Sequence, residues 1–164
     1  LSDIADVRAN LAQCSADYCI DISRSAIWAL SAGMPFGLYH GLNDATGQIR
    51  CIVGYYGFGD FDALLKCVPS PSETLSDAFR IAASSSSFAF PLLLVRAGKD
   101  NEILNESFDL LVARAHAQNI PVEVYSHPEG HHAFDVLDDN DRSRYILENT
   151  FRFLAHLLGK DNCK

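Results

Sequence analysis

A chain of 164 residues, 48% of them hydrophobic and 21% charged, is long enough to bury a core and has the composition of an ordinary globular protein. Its 13 lysines and arginines are scattered and outnumbered by 21 acidic residues, for a formal charge of −8, which excludes the clustered basic surface that a nucleic-acid partner requires. The longest apolar run, Phe88–Val95, is strand-sized and broken by Pro91, far short of the roughly 20 residues that cross a bilayer, so no membrane partner is expected.

In chain order, Ile4, Val7 and Leu11 recur at helical spacing, with Asp3 and Asp6 at the helix start, where negative charge suits the dipole. Tyr18 to Arg24 breaks the period and reads as a loop. Ser25-Ala-Ile-Trp-Ala-Leu30 is a short apolar run expected to form a buried strand, and a helix is expected from Ala32 to about His40. Gln48 to Tyr56 is rich in β-branched and aromatic residues and ends at Gly57, which marks a second strand. Phe58 to Ser87 is mixed, with Pro-Ser-Pro-Ser at 69–72 and a serine run at 84–87, and reads as short helical pieces and loop.

Pro91 to Ala97 is a continuous apolar run, as a strand covered on both faces would be. From Ile103 to Gln118 the residues Leu104, Phe108, Leu111, Val112 and Ala115 form an amphipathic stripe, a helix. Pro121 to Ser126 alternates and predicts a fourth strand near an edge. A loop through Pro128, Gly130 and Phe134 leads to a last helix. Its start is marked by Asp138-Asp-Asn-Asp141, and its expected buried stripe is Leu147, Phe151, Leu154 and Leu158. Alternating strands and helices specify an α/β class, with a mostly parallel sheet and helices on both faces. No repeat or linker divides residues 1–164, which are expected to form a single domain.

Cys14, Cys19, Cys51, Cys67 and Cys163 are odd in number and lack metal-ligand spacing, and no secretory signal precedes them. Free thiols, a reducing cytoplasmic location and no bound metal are expected.

In open parallel sheets, ligands bind at the carboxyl ends of the strands. The first predicted strand is followed by Ala29-Leu-Ser31-Ala-Gly33, the third by Ala97-Gly-Lys-Asp100, and the fourth by Glu129-Gly-His-His-Ala-Phe134. A nucleophile, an acid and a base thus come in chain order, each at a strand end. Ser31 sits in a near match to the G-x-S-x-G elbow, a tight strand-to-helix turn that demands small residues on either side of the serine. Ala29 replaces the first glycine and Gly33 keeps the second. Ala32 N–H, free at the helix start, is an oxyanion donor candidate.

Each feature alone has a plainer explanation, since Ser31 and Asp100 both suit helix caps. Glu102 is a second candidate acid and His127 a distant further base. His131 and His132 lie in a loop, whereas His40, His116 and His156 fall in predicted helices, where packing or surface roles are ordinary.

The order Ser…Asp…His, with Ala26-Ile-Trp-Ala-Leu-Ser-Ala-Gly33, Val53-Gly-Tyr-Tyr-Gly57, Leu92–Asp100 and His127–Asp135, resembles the α/β-hydrolase superfamily, in particular its dienelactone hydrolase and small esterase branches. The resemblance covers most of the chain. In that family a small residue and then Phe commonly follow the catalytic histidine, as in His132-Ala133-Phe134 and not at His131.

The resemblance implies acyl transfer on a carboxylic ester or lactone, with Ser31 as nucleophile, His132 as base, Asp100 orienting it and Ala32 N–H on the oxyanion, without cofactor or metal. It also implies that Tyr55, Tyr56 and Phe58 line an acyl or alcohol pocket, or else pack in the core. Family members carry several strands upstream of the elbow strand, and the second oxyanion donor comes from a loop among them. An incomplete α/β-hydrolase fold lacking its N-terminal strands is therefore expected: a fragment, a truncated product, or a half completed by another chain. Its bare edge strand invites self-association.

Two rival expectations remain. One is a catalytically inactive truncated member serving as an interaction scaffold. The other is an unrelated doubly wound domain binding phosphate or nucleotide, which would need a Gly-rich loop that the sequence does not contain.

Overall fold

The computed structural model describes residues 2–59, 63–64 and 90–159. Most of the predicted helical and loop segment of 58–87, with its turn at 69–72 and serine run, lies outside the described residues, as do Cys67 and Cys163. The elements are α1 (Ser2–Cys14), β1 (Ser25–Leu30), α2 (Gly33–Leu42), β2 (Ile49–Tyr55), β3 (Leu92–Ala97), α3 (Glu102–Ala117), β4 (Val122–His127), α4 (Phe134–Leu137) and α5 (Asp141–Leu158). The four strands form one sheet in the order β1-β2-β3-β4, every pair parallel.

The apolar runs of β2 and β3 become the inner strands, where both faces are covered, whereas the run Ser25–Leu30, expected to be a buried strand, lies at the sheet edge as β1 and is mostly half-buried. β2 and β3 are buried along almost their whole length, whereas β4 at the edge is largely half-buried or exposed. Ile52, Leu92 and Leu94 face Met34 and Leu38 of α2 and Phe108, Leu111 and Ala115 of α3. On the other face Val53, Tyr55, Leu93 and Val95 meet Phe134, Ile146 and Phe153 of α4 and α5. Burying each of these large side chains contributes about 1.5–3 kcal/mol. α3 buries the predicted Phe108, Leu111 and Ala115, together with Asn105 and Ser107. The Ser107 hydroxyl accepts from Gly59 N–H at 2.9 Å, which explains how a polar side chain occupies that face.

Two helix faces depart from expectation. In α1 the helix forms, but its stripe stays open: Ile4, Val7 and Leu11 are exposed, and among the described residues the helix is fastened by the Arg8–Asp44 ion pair at 2.8 Å. In α5 the buried face centres on Ile146, Thr150 and Phe153, and Phe151 is 59% exposed. Leu147 and Leu154 of the expected stripe pack half-buried against the core beside this face, whose midpoint is a threonine. Thr150 Oγ1 donates to Ile146 O at 3.0 Å and accepts from the Tyr55 hydroxyl at 2.6 Å, so a polar residue is fully satisfied at the centre of an apolar face. The α5 cap is Asn140, within the predicted Asp138–Asp141 start; its side chain accepts from Ser143 N–H. The predicted loop before it contains the short helix α4. Among the described residues no helix is long and apolar enough to cross a membrane.

Candidate active site

The carboxyl ends of all four strands converge on one place. β1 ends at Leu30, and the next residue, Ser31, adopts φ 53°, a left-handed conformation that is uncommon for a residue with a Cβ. Its N–H donates to Tyr55 O at 3.0 Å and its carbonyl accepts from Met34 N–H at 3.1 Å, so the turn is held to β2 on one side and to α2 on the other. The close approach of strand and helix falls at a different glycine from the one the sequence suggested. A Cβ on Gly33 would meet no described atom within 4 Å, whereas one on Gly37 would lie 2.7 Å from Ala29 Cβ. The alanine that replaces the first elbow glycine is therefore accommodated by Gly37, one helical turn further on. Gly57 has a similar part at the end of β2, where a Cβ would lie 2.4 Å from Ser31 O.

Asp100 follows β3 with its side chain 5% exposed. It does not cap α3; that role falls to Asn101, whose side chain accepts from Ile103 N–H at 2.9 Å. One Asp100 oxygen accepts from Asn101 N–H at 2.7 Å, and the other lies 2.6 Å from His132 Nδ1. A carboxylate only accepts, so Nδ1 carries the proton. Nε2 is then the lone-pair nitrogen, and it accepts from the Ser31 hydroxyl at 2.7 Å. Asp100, His132 and Ser31 thus form one hydrogen-bonded chain. Glu102 is exposed in the first turn of α3.

The loop that carries His132 is fixed at several points. Gly98 N–H donates to His127 O and Lys99 N–H to Gly130 O, both at 2.9 Å. Ala133 turns the chain at φ 64° into α4. His127 is 4% exposed and packs against Phe134 at a ring distance of 4.8 Å, with Nε2 3.2 Å from Asn140 Oδ1; it braces the loop from beneath. His131 is exposed. His40, His116 and His156 each sit in the last turn of a helix.

The tyrosines divide. Tyr55 is fully buried and bonds Thr150, and burial pushes its phenol up to about 12; it packs in the core, as the sequence also allowed. Phe58 is buried too, packed with Phe36, Tyr39 and Leu104. Tyr56 directly follows β2 at φ 34°, with its N–H on Val95 O at 2.7 Å. Its ring meets the His132 imidazole at 4.9 Å with the planes 62° apart, and its hydroxyl donates to Asp135 Oδ1 at 2.5 Å. That pairing spans 79 residues and left no local signal in the sequence. Ala32, the exposed residue before α2, has an N–H with no backbone acceptor among the described residues. Among the described residues no group of three His, Cys, Asp or Glu side chains is arranged to hold a metal ion.

No protein-family profile and no curated protein sequence matches the chain. Solved structures do. A structure among two fungal esterases from Rhizomucor miehei superposes with a TM-score of 0.76 at 15% identity, over 98% of this chain and 60% of that one. The carboxylesterase Cest-2923 from Lactobacillus plantarum gives 0.71 at 13% identity, over 92% and 64%. A puromycin-hydrolysing peptidase from Mycobacterium tuberculosis gives 0.66 at 18% identity, over 90% and 24%. The chain spans about a quarter of the peptidase and less than two thirds of either esterase. At such identities the likeness is one of fold, and the fold it identifies, present here in part, is that of the α/β-hydrolases.

Proposed function

We propose that the chain carries the catalytic triad of a serine hydrolase, with Ser31 as nucleophile, His132 as general base and Asp100 as its orienting acid, acting on carboxylic esters or lactones. The observation that carries this is the chain of bonds from Asp100 Oδ2 to His132 Nδ1 at 2.6 Å and from His132 Nε2 to Ser31 Oγ at 2.7 Å. The esterases that share the fold support the substrate class, as does the resemblance of the elbow and histidine segments to small esterases.

The Ser31 oxygen attacks the ester carbonyl carbon while its proton passes to His132 Nε2. The ionised Asp100 carboxylate stabilises the resulting imidazolium and keeps Nδ1 as the proton-bearing nitrogen. Negative charge on the carbonyl oxygen is met by the Ala32 N–H at the start of α2, where the helix dipole adds to it. Collapse breaks the bond to the leaving alkoxide, which takes the proton from Nε2 and leaves an acyl group on Ser31. Water, giving a proton to His132 Nε2, then attacks the acyl carbon; the bond to Ser31 Oγ breaks, the acid is freed, and the proton passes from Nε2 back to Ser31 Oγ.

The test is a rapid-mixing experiment with p-nitrophenyl acetate. The expected result is a burst of p-nitrophenol stoichiometric with protein and an acetyl group mapped to the peptide containing Ser31. Release without a burst, or acetylation elsewhere, overturns the proposal.

A further inference from the structure

We propose that Tyr56 is a positioning residue for His132: its ring walls the imidazole, and its hydroxyl, bonded to Asp135, ties the histidine loop to the end of β2. The proposal rests on the serine-hydrolase reading of Ser31, His132 and Asp100 and adds a part to it.

Four observations carry it. The imidazole is held in its own plane by a bond at each nitrogen, but its side chain is 40% exposed, so something must oppose rotation and loop slippage. Among the described aromatic pairs the ring that meets it is Tyr56, at 4.9 Å. Tyr56 is itself immobilised: 5% exposed, N–H on Val95 O, and φ at 34°. Positive φ at a bulky residue is costly and persists where the surroundings hold it. Finally, the hydroxyl reaches Asp135, three residues beyond His132 and in the first turn of α4.

A core tyrosine in need of an acceptor would satisfy only the burial. Here the acceptor lies on the segment that sets the position of the base, and the ring lies on the base itself. Burial, and then the Asp135 carboxylate, push the phenol far above its ordinary range, so it remains a donor across neutral and alkaline pH.

The experiment compares the parent chain with Tyr56→Phe, Asp135→Ala, the double variant and Asp135→Asn. It reads the rate of fluorophosphonate labelling per folded molecule, the low-field proton resonance of His132 Nδ1, and the thermal midpoint. Tyr56→Phe and Asp135→Ala are each expected to slow labelling by about tenfold, a fraction of what a general base contributes, and to broaden the Nδ1 resonance. The double variant is expected to be no slower than either single one, because both remove the same bond. Asp135→Asn is expected to keep most of the rate, since an amide oxygen still accepts.

Labelling of Tyr56→Phe at the parent rate overturns the proposal whatever its thermal midpoint, and leaves the triad standing. If the parent chain is not labelled, the nucleophile assignment fails and the resonance decides. A parent Nδ1 signal lost in Tyr56→Phe still supports positioning. A signal unchanged in the variant, or absent from the parent, overturns it.

Discussion

Ser31, Tyr56 and Ala133 are three of the five non-glycine residues with positive φ among the described residues, and all three surround one imidazole. A left-handed backbone costs roughly 1–2 kcal/mol at a residue with a side chain, so this concentration marks where the fold holds unfavourable geometry in place. Asp44 shows the opposite case, a residue settled by its contacts. Its side chain is 3% exposed; burial alone would raise its pKa, but bonds from Thr46, Arg8 and the Ile49 N–H outweigh that and hold the carboxyl well below the ordinary value near 3.8. The folded state therefore binds this proton less readily than the unfolded chain. Its stabilisation is complete above the ordinary value and is lost as pH falls below it. Asp44→Asn is expected to cost about 2 kcal/mol at pH 7, the worth of bonds to a buried charge, and to flatten the fall in thermal midpoint that the parent is expected to show as pH drops below the ordinary value near 3.8. An unchanged acid limb would contradict the assignment.

At the scale of elements, the elbow depends on how closely α2 approaches β1. Gly37→Ala would place a methyl 2.7 Å from Ala29 Cβ and 3.0 Å from Ile27 Cγ2, and overpacking of that kind costs about 1–3 kcal/mol. Gly33→Ala, with no described atom within 4 Å, is expected to stay within about 0.5 kcal/mol of the parent in thermal or urea unfolding; equal losses at both positions would contradict this packing. The sequence motif pointed to Gly33 because motifs carry spacing along the chain, whereas the contact lies one turn further along the helix. The strands themselves were legible to within a residue or two, since each is a β-branched or apolar run bounded by polar or turn residues. The α5 face was legible only in part, through Leu147 and Leu154. Thr150 interrupts its apolar pattern, and the bond that makes Thr150 acceptable there comes from Tyr55, 95 residues earlier.

At the scale of the molecule, the four strand ends each deliver one part: Ser31 from β1, Tyr56 from β2, Asp100 from β3 and His132 from beyond β4. Ser31, Asp100 and His132 were legible because a reactive side chain just after a strand is a local feature. Tyr56 and Asp135 were not, because their contact exists only once β2 and α4 are folded together. The described sheet is part of a larger fold in its structural neighbours, which places weight on whether these residues act together in the chain as it stands. The most direct measurement is incubation of the purified chain with a fluorophosphonate probe, alongside Ser31→Ala and His132→Ala, read by intact mass. One label on the parent and none on either variant is the expected result. A folded parent that takes no label, or a label that survives Ser31→Ala, would contradict the assignment of Ser31 as a nucleophile activated by His132.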